Sequence, residues 1–410
     1  MSEPTKKPLN SESISTRSAN ISIVIFCGFL MGLSGFSTDV MLPAFTTMVV
    51  ELNTSLDRVQ ATVASFAFFF GLGQIFYGPA SDKYGRRSII SVGMVVFIFG
   101  SLLATYGKSI ETVLIGRGLQ GFGAGAAPVL ARAILRDTHN GTALARAMAI
   151  SMAIFAFGPI FAPLIGVAIV DLFGWRSTFA SMGLLAFGLL AFNIFRFKET
   201  NGSPNPDALA PNVLWQGIKR FLSNRQSLYF LLCGCAAYCA LFSYIANAPR
   251  IYAMAFEITG LEFSILFALT GLGIILGQVV NRALLPKLGV LNVLRIASLI
   301  LFLAAVLIAL LATVKQLNAT WFTALMFCFN TSFLVIISNT ATLCLDPHPN
   351  IAGLASATYG CVTNLTGAVF ITLSVTWVGA ATINWAIAMT ALTLLAALGI
   401  WAVRKNRVSF

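Results

Sequence analysis

The stretch GPASDKYGRRS (Gly78–Ser88) places four charged side chains within six positions of a chain that is only 10% charged. The residues on both sides carry no charge, from 59 to 81 and from 88 to 107. Each flanking run is long enough to cross a bilayer as a helix. We therefore interpret the charged stretch as a short turn between two membrane spans. Its charged residues are Asp82, Lys83, Arg86 and Arg87.

The composition indicates a membrane protein along its whole length. Of the 410 residues, 58% are hydrophobic, whereas soluble domains average about 45–50%. We predict an all-α membrane protein with twelve transmembrane helices, and we divide the long uncharged run from 351 to 403 near Gly379. The predicted spans are 21–45, 59–79, 88–106, 110–131, 147–170, 177–195, 227–249, 263–285, 291–314, 319–343, 353–377 and 381–403.

The distribution of Lys and Arg predicts that both termini are cytoplasmic. With that orientation the inside segments hold 20 basic residues and the outside segments hold 5, while Arg117 falls within a span. The net charge of +12 then follows from topology, and we expect no nucleic-acid partner. We expect no removable signal peptide in the first twenty residues, which are polar and rich in serine. Seven cysteines in or beside the spans suggest packing positions, with neither a disulfide framework nor a metal site.

A polar interval near the midpoint divides the twelve predicted spans into two groups of six. GQIFYGPASDKYG (73–85) is echoed 204 residues later by GQVVNRALLPKLG (277–289), at the same junction of the second group. Such repeats are typical of secondary transporters, whose halves rock about a site at their interface. We expect a cytoplasmic tail at 1–20, a six-helix bundle at 21–195, a cytoplasmic linker at 196–226, a second bundle at 227–403 and a tail at 404–410.

Two charged residues lie deep within predicted spans. Asp39 is about 10 Å below the outer end of span one, and Arg117 is about equally deep in span four. A carboxyl at such depth usually faces a cavity and marks an ion pathway, and it can exchange a proton near neutral pH. We expect the two charges to pair directly or through water, so that their separation couples protonation to conformation. The alternatives are an acid that fixes a kink ahead of Pro43 and a permanent buried pair.

The charged turn carries more than a topology signal. Lys and Arg alone would anchor the inside face, whereas Asp82 indicates a specific ion pair or helix-terminus contact, with Arg136 of the next inside loop as the candidate partner. Gly78 and Pro79 are predicted to end the preceding helix, and Gly85 to permit the turn. GFGAG (121–125) is predicted to form a helix-packing face.

Several motifs together resemble one family. GPASDKYGRR resembles the signature of the major facilitator superfamily, and essentially the whole chain resembles its twelve-span drug:proton antiporters, in particular the bicyclomycin/chloramphenicol-resistance branch. The other strings that carry this resemblance are STDVMLPAF (37–45), RGLQGFGAG (117–125), RAILRD (132–137), GPIFAPLIG (158–166), GWRSTF (174–179) and PHPNIAGLASA (347–357).

The resemblance implies the major facilitator fold, with two pseudo-symmetric six-helix halves in a bacterial inner membrane. It implies that Arg117 takes part in proton transfer and that the charged turn acts as a gate. The implied gating residues are Gly78, Asp82, Lys83, Gly85, Arg86, Arg87, Arg136 and Asp137. The implied antiporter-motif residues, on a kinked helix, are Gly158, Pro159, Pro163 and Gly166.

The energy source is predicted to be a gradient, because the chain has no Gly-x-x-x-x-Gly-Lys-Ser/Thr phosphate loop. We expect a monomeric, proton-driven exporter of small, mostly hydrophobic drugs that needs no cofactor and contacts only substrate, protons and lipid. Tyr238, Phe242 and Asn247 are candidate cavity residues. Export of a native metabolite, such as a sugar, amino acid or siderophore, and proton-linked import remain open. No pattern within the spans indicates an enzyme.

Overall fold

The computed structural model describes residues 11–378 and 382–403, which form helices joined by short turns and one longer linker. The predicted division near Gly379 and the predicted tail at 404–410 lie outside the described residues, as do residues 1–10. The helices are α1 Ser11–Asp39, α2 Phe45–Glu51, α3 Leu56–Tyr84, α4 Arg86–Tyr106, α5 Ile110–Ala124, α6 Ala126–Thr138, α7 Gly141–Phe173, α8 Arg176–Phe195, α9 Pro211–Ser223, α10 Arg225–Phe256, α11 Gly260–Thr313, α12 Ala319–Leu345, α13 Ala352–Val378 and α14 Thr382–Ala402.

Ten helical segments in the described part of the chain are long and apolar enough to cross a membrane. Predicted span four corresponds to α5 and α6, which meet at Gly125, a residue that keeps a helical backbone with φ of −56° and ψ of −27°. The 54-residue helix α11 contains a non-helical residue, Gly289, with φ of 73°. That residue separates predicted spans eight and nine.

The helix before the charged turn is longer than predicted. Pro79 lies inside α3, which continues to Tyr84, so the prediction that Gly78 and Pro79 end this helix is wrong. A proline within a membrane helix is tolerated where neighbouring helices satisfy the freed backbone groups. Gly85 then turns the chain into α4 with φ of 90°, a conformation that favours glycine.

Glycines allow α5 to approach α3 backbone to backbone. A Cβ on Gly121 would collide with the Phe66 carbonyl, and a Cβ on Gly125 would lie 2.9 Å from the Cα of Gly73. The predicted packing face of GFGAG is therefore confirmed. Such close contacts are the usual way in which membrane helices associate.

The helices before and after the linker meet along two long contacts, α3 with α13 and α7 with α11. We call residues 21–195 the first half and residues 227–403 the second half. Helix α7 runs unbroken through Pro159 and Pro163. Gly158 faces α1, a Cβ on Gly166 would collide with the Val40 carbonyl, and Pro159 lies against Gly271 of α11. The GPIFAPLIG helix thus lies between α1 and the second half.

Candidate functional site

Asp39 is the last residue of α1 and marks a break in the first span. The chain continues through a 3-10 turn at Leu42–Ala44 into α2. Asp39 is only 4% exposed, and among the described residues no hydrogen bond or ion pair to its carboxylate is found. An acid that fixes a kink would accept bonds from local backbone N–H groups. Among the described residues, Asp39 therefore lacks the bonds expected of a kink-fixing acid.

Arg117 is fully buried and is held entirely by the first half. Its Nη1 donates to Gln120 Oε1 at 2.9 Å and to the Ser37 carbonyl at 3.3 Å, and its Nε donates to the Thr62 carbonyl at 3.4 Å. The guanidinium lies over the Phe66 ring, 4.3 Å from its centroid. Arg117 is therefore oriented by carbonyls and an aromatic face.

The expected direct pairing of Asp39 with Arg117 does not occur in this structure. No ion pair joins them in the described part of the chain, but the Ser37 carbonyl that Arg117 contacts is two residues before Asp39. The Nη2 of Arg117 is buried and has no hydrogen-bond partner among the described residues. This nitrogen belongs to the same guanidinium whose Nη1 contacts the end of α1.

The second half contributes a polar residue near Asp39 that sequence reasoning missed. Tyr244 of α10 is 1% exposed and lies within electrostatic reach of Asp39. Its hydroxyl forms a hydrogen bond with Thr270 Oγ1 at 2.9 Å, and its ring stacks on Phe267. The repeat offset of 204 relates Asp39 to Ser243. The sequence repeat therefore pointed to the residue just before Tyr244. Other aromatic residues of the same helix made Tyr244 hard to single out.

The charged turn forms an ion triad centred on Arg86. The guanidinium binds Asp82 Oδ1 at 2.5 Å and Asp137 Oδ2 at 3.1 Å. The predicted pairing of Asp82 with Arg136 is wrong, because the i,i+4 spacing across Gly85 places Arg86 beside Asp82. Helix α6 then presents Asp137 to the same guanidinium. Arg136 itself makes no ion pair or hydrogen bond with a described residue.

The other two bases of the turn lie apart from the triad. Lys83 lies over the Tyr84 ring, 5.4 Å from its centroid. Arg87 donates from Nη2 to the Ile194 carbonyl at 2.5 Å and from Nε to the Asn193 carbonyl at 3.3 Å. Arg87 therefore ties the start of α4 to the end of α8.

The linker after α8 binds the charged turn. Glu199 accepts the backbone N–H groups of Arg86 at 2.8 Å and Arg87 at 3.0 Å, at the positive end of the α4 dipole. Partial burial opposes the charge of Glu199, but backbone N–H groups, including those of Asn201 and Thr200, outweigh this effect and lower its pKa.

The linker is held to the turn by further bonds to its backbone. The Asp82 carbonyl accepts Asn201 Nδ2 and the Asn205 backbone N–H, each at 2.9 Å. We call the contacts of Glu199, Asn201 and Asn205 with the turn the linker clasp. These contacts bind the linker between the halves to the charged turn, which is the predicted gate.

The two halves are also joined at the other end of α3 by what we call the far-end latch. Gln60 Nε2 donates to the Ala246 carbonyl at 2.9 Å and to Asn247 Oδ1 at 3.3 Å. Arg250 donates to Asp57 Oδ1 at 2.9 Å. Asn247, a candidate cavity residue, is therefore occupied by a contact between the halves.

A cavity of about 470 Å³ opens at the end of the bundle that carries the charged turn. Helices α3, α4, α6 and α9, the linker and the start of α13 contribute its walls. Tyr238 and Phe242 do not line this cavity. Tyr238 packs edge-on against Phe333 with centroids 5.6 Å apart, and Phe242 lies against Gly367 of α13.

Comparisons with known proteins agree with this architecture. A bicyclomycin resistance protein homolog of Haemophilus influenzae is 28% identical over 84% of this chain and 87% of its own length. A chloramphenicol resistance protein of Pseudomonas aeruginosa is 27% identical over 86% of this chain and 84% of its own. The crystal structure of a D-xylose-proton symporter superposes with a TM-score of 0.76 at 17% identity, covering 95% of this chain and 99% of that one.

The apolar helices and the bacterial relatives agree with a multi-pass integral protein of the bacterial inner membrane. A family model described as Major Facilitator Superfamily matches residues 24–371. That match spans most of the chain and includes both long contacts between the halves. The chain therefore belongs to the major facilitator superfamily.

Proposed function

We propose that this protein is a proton-driven secondary transporter that exports small, mostly hydrophobic drugs by alternating access. The observation that carries the proposal is Asp39, a buried carboxyl without a described bonding partner, at a helix break two residues after the Ser37 carbonyl that Arg117 contacts. Acids are costly within a membrane and usually mark ion pathways. The names of the relatives, which refer to bicyclomycin and chloramphenicol resistance, support drugs as the substrate class.

We further propose twelve spans with both termini in the cytoplasm. Helix α11 would be about 80 Å long if straight, more than twice the roughly 30 Å of a bilayer core, so its break at Gly289 supports two crossings. Helices α5 and α6 together supply one more. The excess of basic residues on one side supports a cytoplasmic position for the charged turn and the cavity.

The transport cycle follows from which contacts hold the halves together. In this structure the far-end latch is formed, while the cavity opens on the proposed cytoplasmic side. Drug enters from the cytosol or inner leaflet while Asp39 is ionised. The halves then rock and the latch separates. Protonation of Asp39 from outside favours drug release, and deprotonation inside completes the cycle. Coupling requires only that drug and proton bind the two states differently.

Transport by reconstituted protein tests this function. Proteoliposomes with an acidic lumen should accumulate chloramphenicol against its gradient, because the lumen then corresponds to the outside of the cell. Asp39→Asn should lose uphill accumulation, whereas the control Asp171→Asn, which changes an exposed acid of the same half outside the latch, should retain it. Uphill transport by Asp39→Asn would contradict the role of Asp39. Absence of drug accumulation by the wild type would contradict drug export itself.

A further inference from the structure

Two arginines of α6 face the cavity without a partner among the described residues. Arg132 and Arg136 both line its wall, and neither makes an ion pair or hydrogen bond with another residue in the described ranges. They are four residues apart on one helix, where like charges repel each other and weaken the helix. Their arrangement suggests a negatively charged group from outside the chain.

The two carboxylates that line the cavity are already paired with Arg86. Asp82 and Asp137 both bind Arg86, at 2.5 and 3.1 Å, and Thr200 donates to Asp137 at 3.2 Å. Among the described residues of the lining, the charged side chains are three arginines and two carboxylates, and both carboxylates bind Arg86. Arg132 and Arg136 therefore give the cavity its positive character.

The two arginines differ in depth. Arg136 is exposed at the mouth, whereas Arg132 is half-buried and lies within electrostatic reach of Tyr238 on α10 of the second half. Val129, Ile351 and Leu354 provide apolar wall nearby. An arginine in such partly desolvated surroundings binds carboxylate or phosphate more strongly than one in water, and its planar fork can hold either group through two hydrogen bonds.

We propose that this cavity binds amphipathic organic anions, with Arg132 holding the anionic group and Arg136 attracting it at the mouth. The inference rests on the proposed export function and adds to its neutral substrates drug-sized molecules with an apolar body and one carboxylate or phosphate. The cavity volume of about 470 Å³ lies within the range of about 300–1,000 Å³ for small-molecule sites. The anion is either free in the cytosol or the headgroup of an inner-leaflet lipid.

Equilibrium binding to the purified full-length protein tests this proposal. In phosphatidylcholine nanodiscs at pH 7, 1-naphthaleneacetate should bind at least about tenfold more tightly than 1-naphthaleneacetamide, a neutral molecule of nearly the same shape. Arg132→Gln should abolish that preference while still binding the amide, which shows that the variant is folded. Arg146→Gln is the matched control, because Arg146 is an exposed arginine of α7 outside the cavity, and it should keep the preference.

Nanodiscs that contain phosphatidylglycerol distinguish the two sources of the anion. Weaker binding of 1-naphthaleneacetate to the wild type in these nanodiscs, without a change in Arg132→Gln, identifies a lipid headgroup as a competitor at the same site. An unchanged affinity in the wild type identifies the free organic anion. Either result supports the site.

Equal affinity of the wild type for acid and amide, failure to bind the acid, or a preference that survives in Arg132→Gln overturns the proposal. Because binding is measured without a gradient, failure of drug export in proteoliposomes would leave this preference intact. Conversely, loss of the anion site would leave export of neutral chloramphenicol intact.

Discussion

The two halves of the molecule bury different kinds of polar group. Among the described residues, every buried Asp, Glu, Lys or Arg lies in the first half: Asp39, Arg86 and Arg117. The second half buries amides, hydroxyls and one histidine, as in the pair Asn339–Asn281 at 2.7 Å. Burying an ion costs far more than burying a bonded neutral group. The comparison teaches that a repeated fold can confine its charge chemistry to one repeat while the other supplies neutral structure.

The largest effect is expected from changing the buried cation of the first half. Arg117→Lys keeps the charge but removes the fork that reaches Gln120, Ser37 and Thr62. Because bonds to a buried charge are worth about 1.5–3 kcal/mol each, we expect the free energy of unfolding to fall by about 3 kcal/mol. Denaturant unfolding in detergent measures this change. Arg250→Lys, at the partly exposed ion pair that joins the second half to Asp57 of the first, should change the free energy of unfolding by less than about 1 kcal/mol. Equal losses of unfolding free energy in Arg117→Lys and Arg250→Lys would contradict the proposed difference between buried and partly exposed charges.

Disrupting a neutral hydrogen-bonded pair of the second half should lower the free energy of unfolding by a smaller amount, and a second substitution should recover most of the loss. Asn339→Leu leaves Asn281 buried without its donor, and we expect the free energy of unfolding to fall by about 1–3 kcal/mol. Replacing both residues with Leu removes both polar groups and should recover most of that loss. Drug transport should survive in both variants. A double variant that is less stable than the single variant, or that loses uphill transport, would show that the second half needs this polar pair for more than packing.

The far-end latch tests whether the halves separate there. Asp57→Asn removes the Arg250 ion pair, which is partly exposed, so its contribution is at most about 1 kcal/mol. The population open at the far end should rise by up to about fivefold. Pulsed electron resonance between spin labels at Thr54 and Ile258, with the exposed Cys328 replaced by Ser, measures that population.

The control for the latch is Glu51→Gln. It breaks the Glu51–Arg176 pair of 2.6 Å, which lies wholly within the first half, and it should leave the distance distribution unchanged. A shift in this control as large as the shift in Asp57→Asn would show that charge loss in general, rather than the latch, sets the opening.

The smallest expected effect is the pH dependence of the linker clasp. The pKa of Glu199 is lowered in the folded protein, so its stabilising contribution is present above the ordinary value of about 4.3. That contribution is lost as pH falls through the folded pKa. Protection of the Arg86 and Arg87 amides from hydrogen exchange, corrected for intrinsic rates, should therefore fall below about pH 4. Glu199→Gln should remove this pH dependence, and a wild-type profile that stays flat in this range would contradict the assignment.

The sequence predicted the parts of the molecule that lipid itself dictates. Apolar runs locate helices, and charged residues mark the turns between them. The turn at Gly85 was predictable because only glycine readily adopts its conformation. The helix end at Gly78 and Pro79 was not, because neighbouring helices rather than local sequence decide whether a membrane helix tolerates a proline.

The partners of charged residues were harder to predict than their positions. Arg86, rather than Arg136, pairs with Asp82 because side-chain direction across a turn decides the contact. Glu199 caps a helix whose first residue, Arg86, is 113 positions away, and no periodicity reports such a contact. Tyr244 belongs to a helix rich in aromatics, so its place near Asp39 depends on how the halves pack. Contacts between residues far apart in the sequence depend on the three-dimensional packing of the helices, which the sequence pattern does not report.

Proton release on drug binding is the most direct test of the claim that one buried carboxyl couples drug to proton. Saturating chloramphenicol is added to weakly buffered, purified protein at pH 7, and a pH indicator counts the released protons. The account predicts about one proton per protein from the wild type and from the control Asp171→Asn, and none from Asp39→Asn. Proton release by Asp39→Asn equal to that of the wild type would contradict the account.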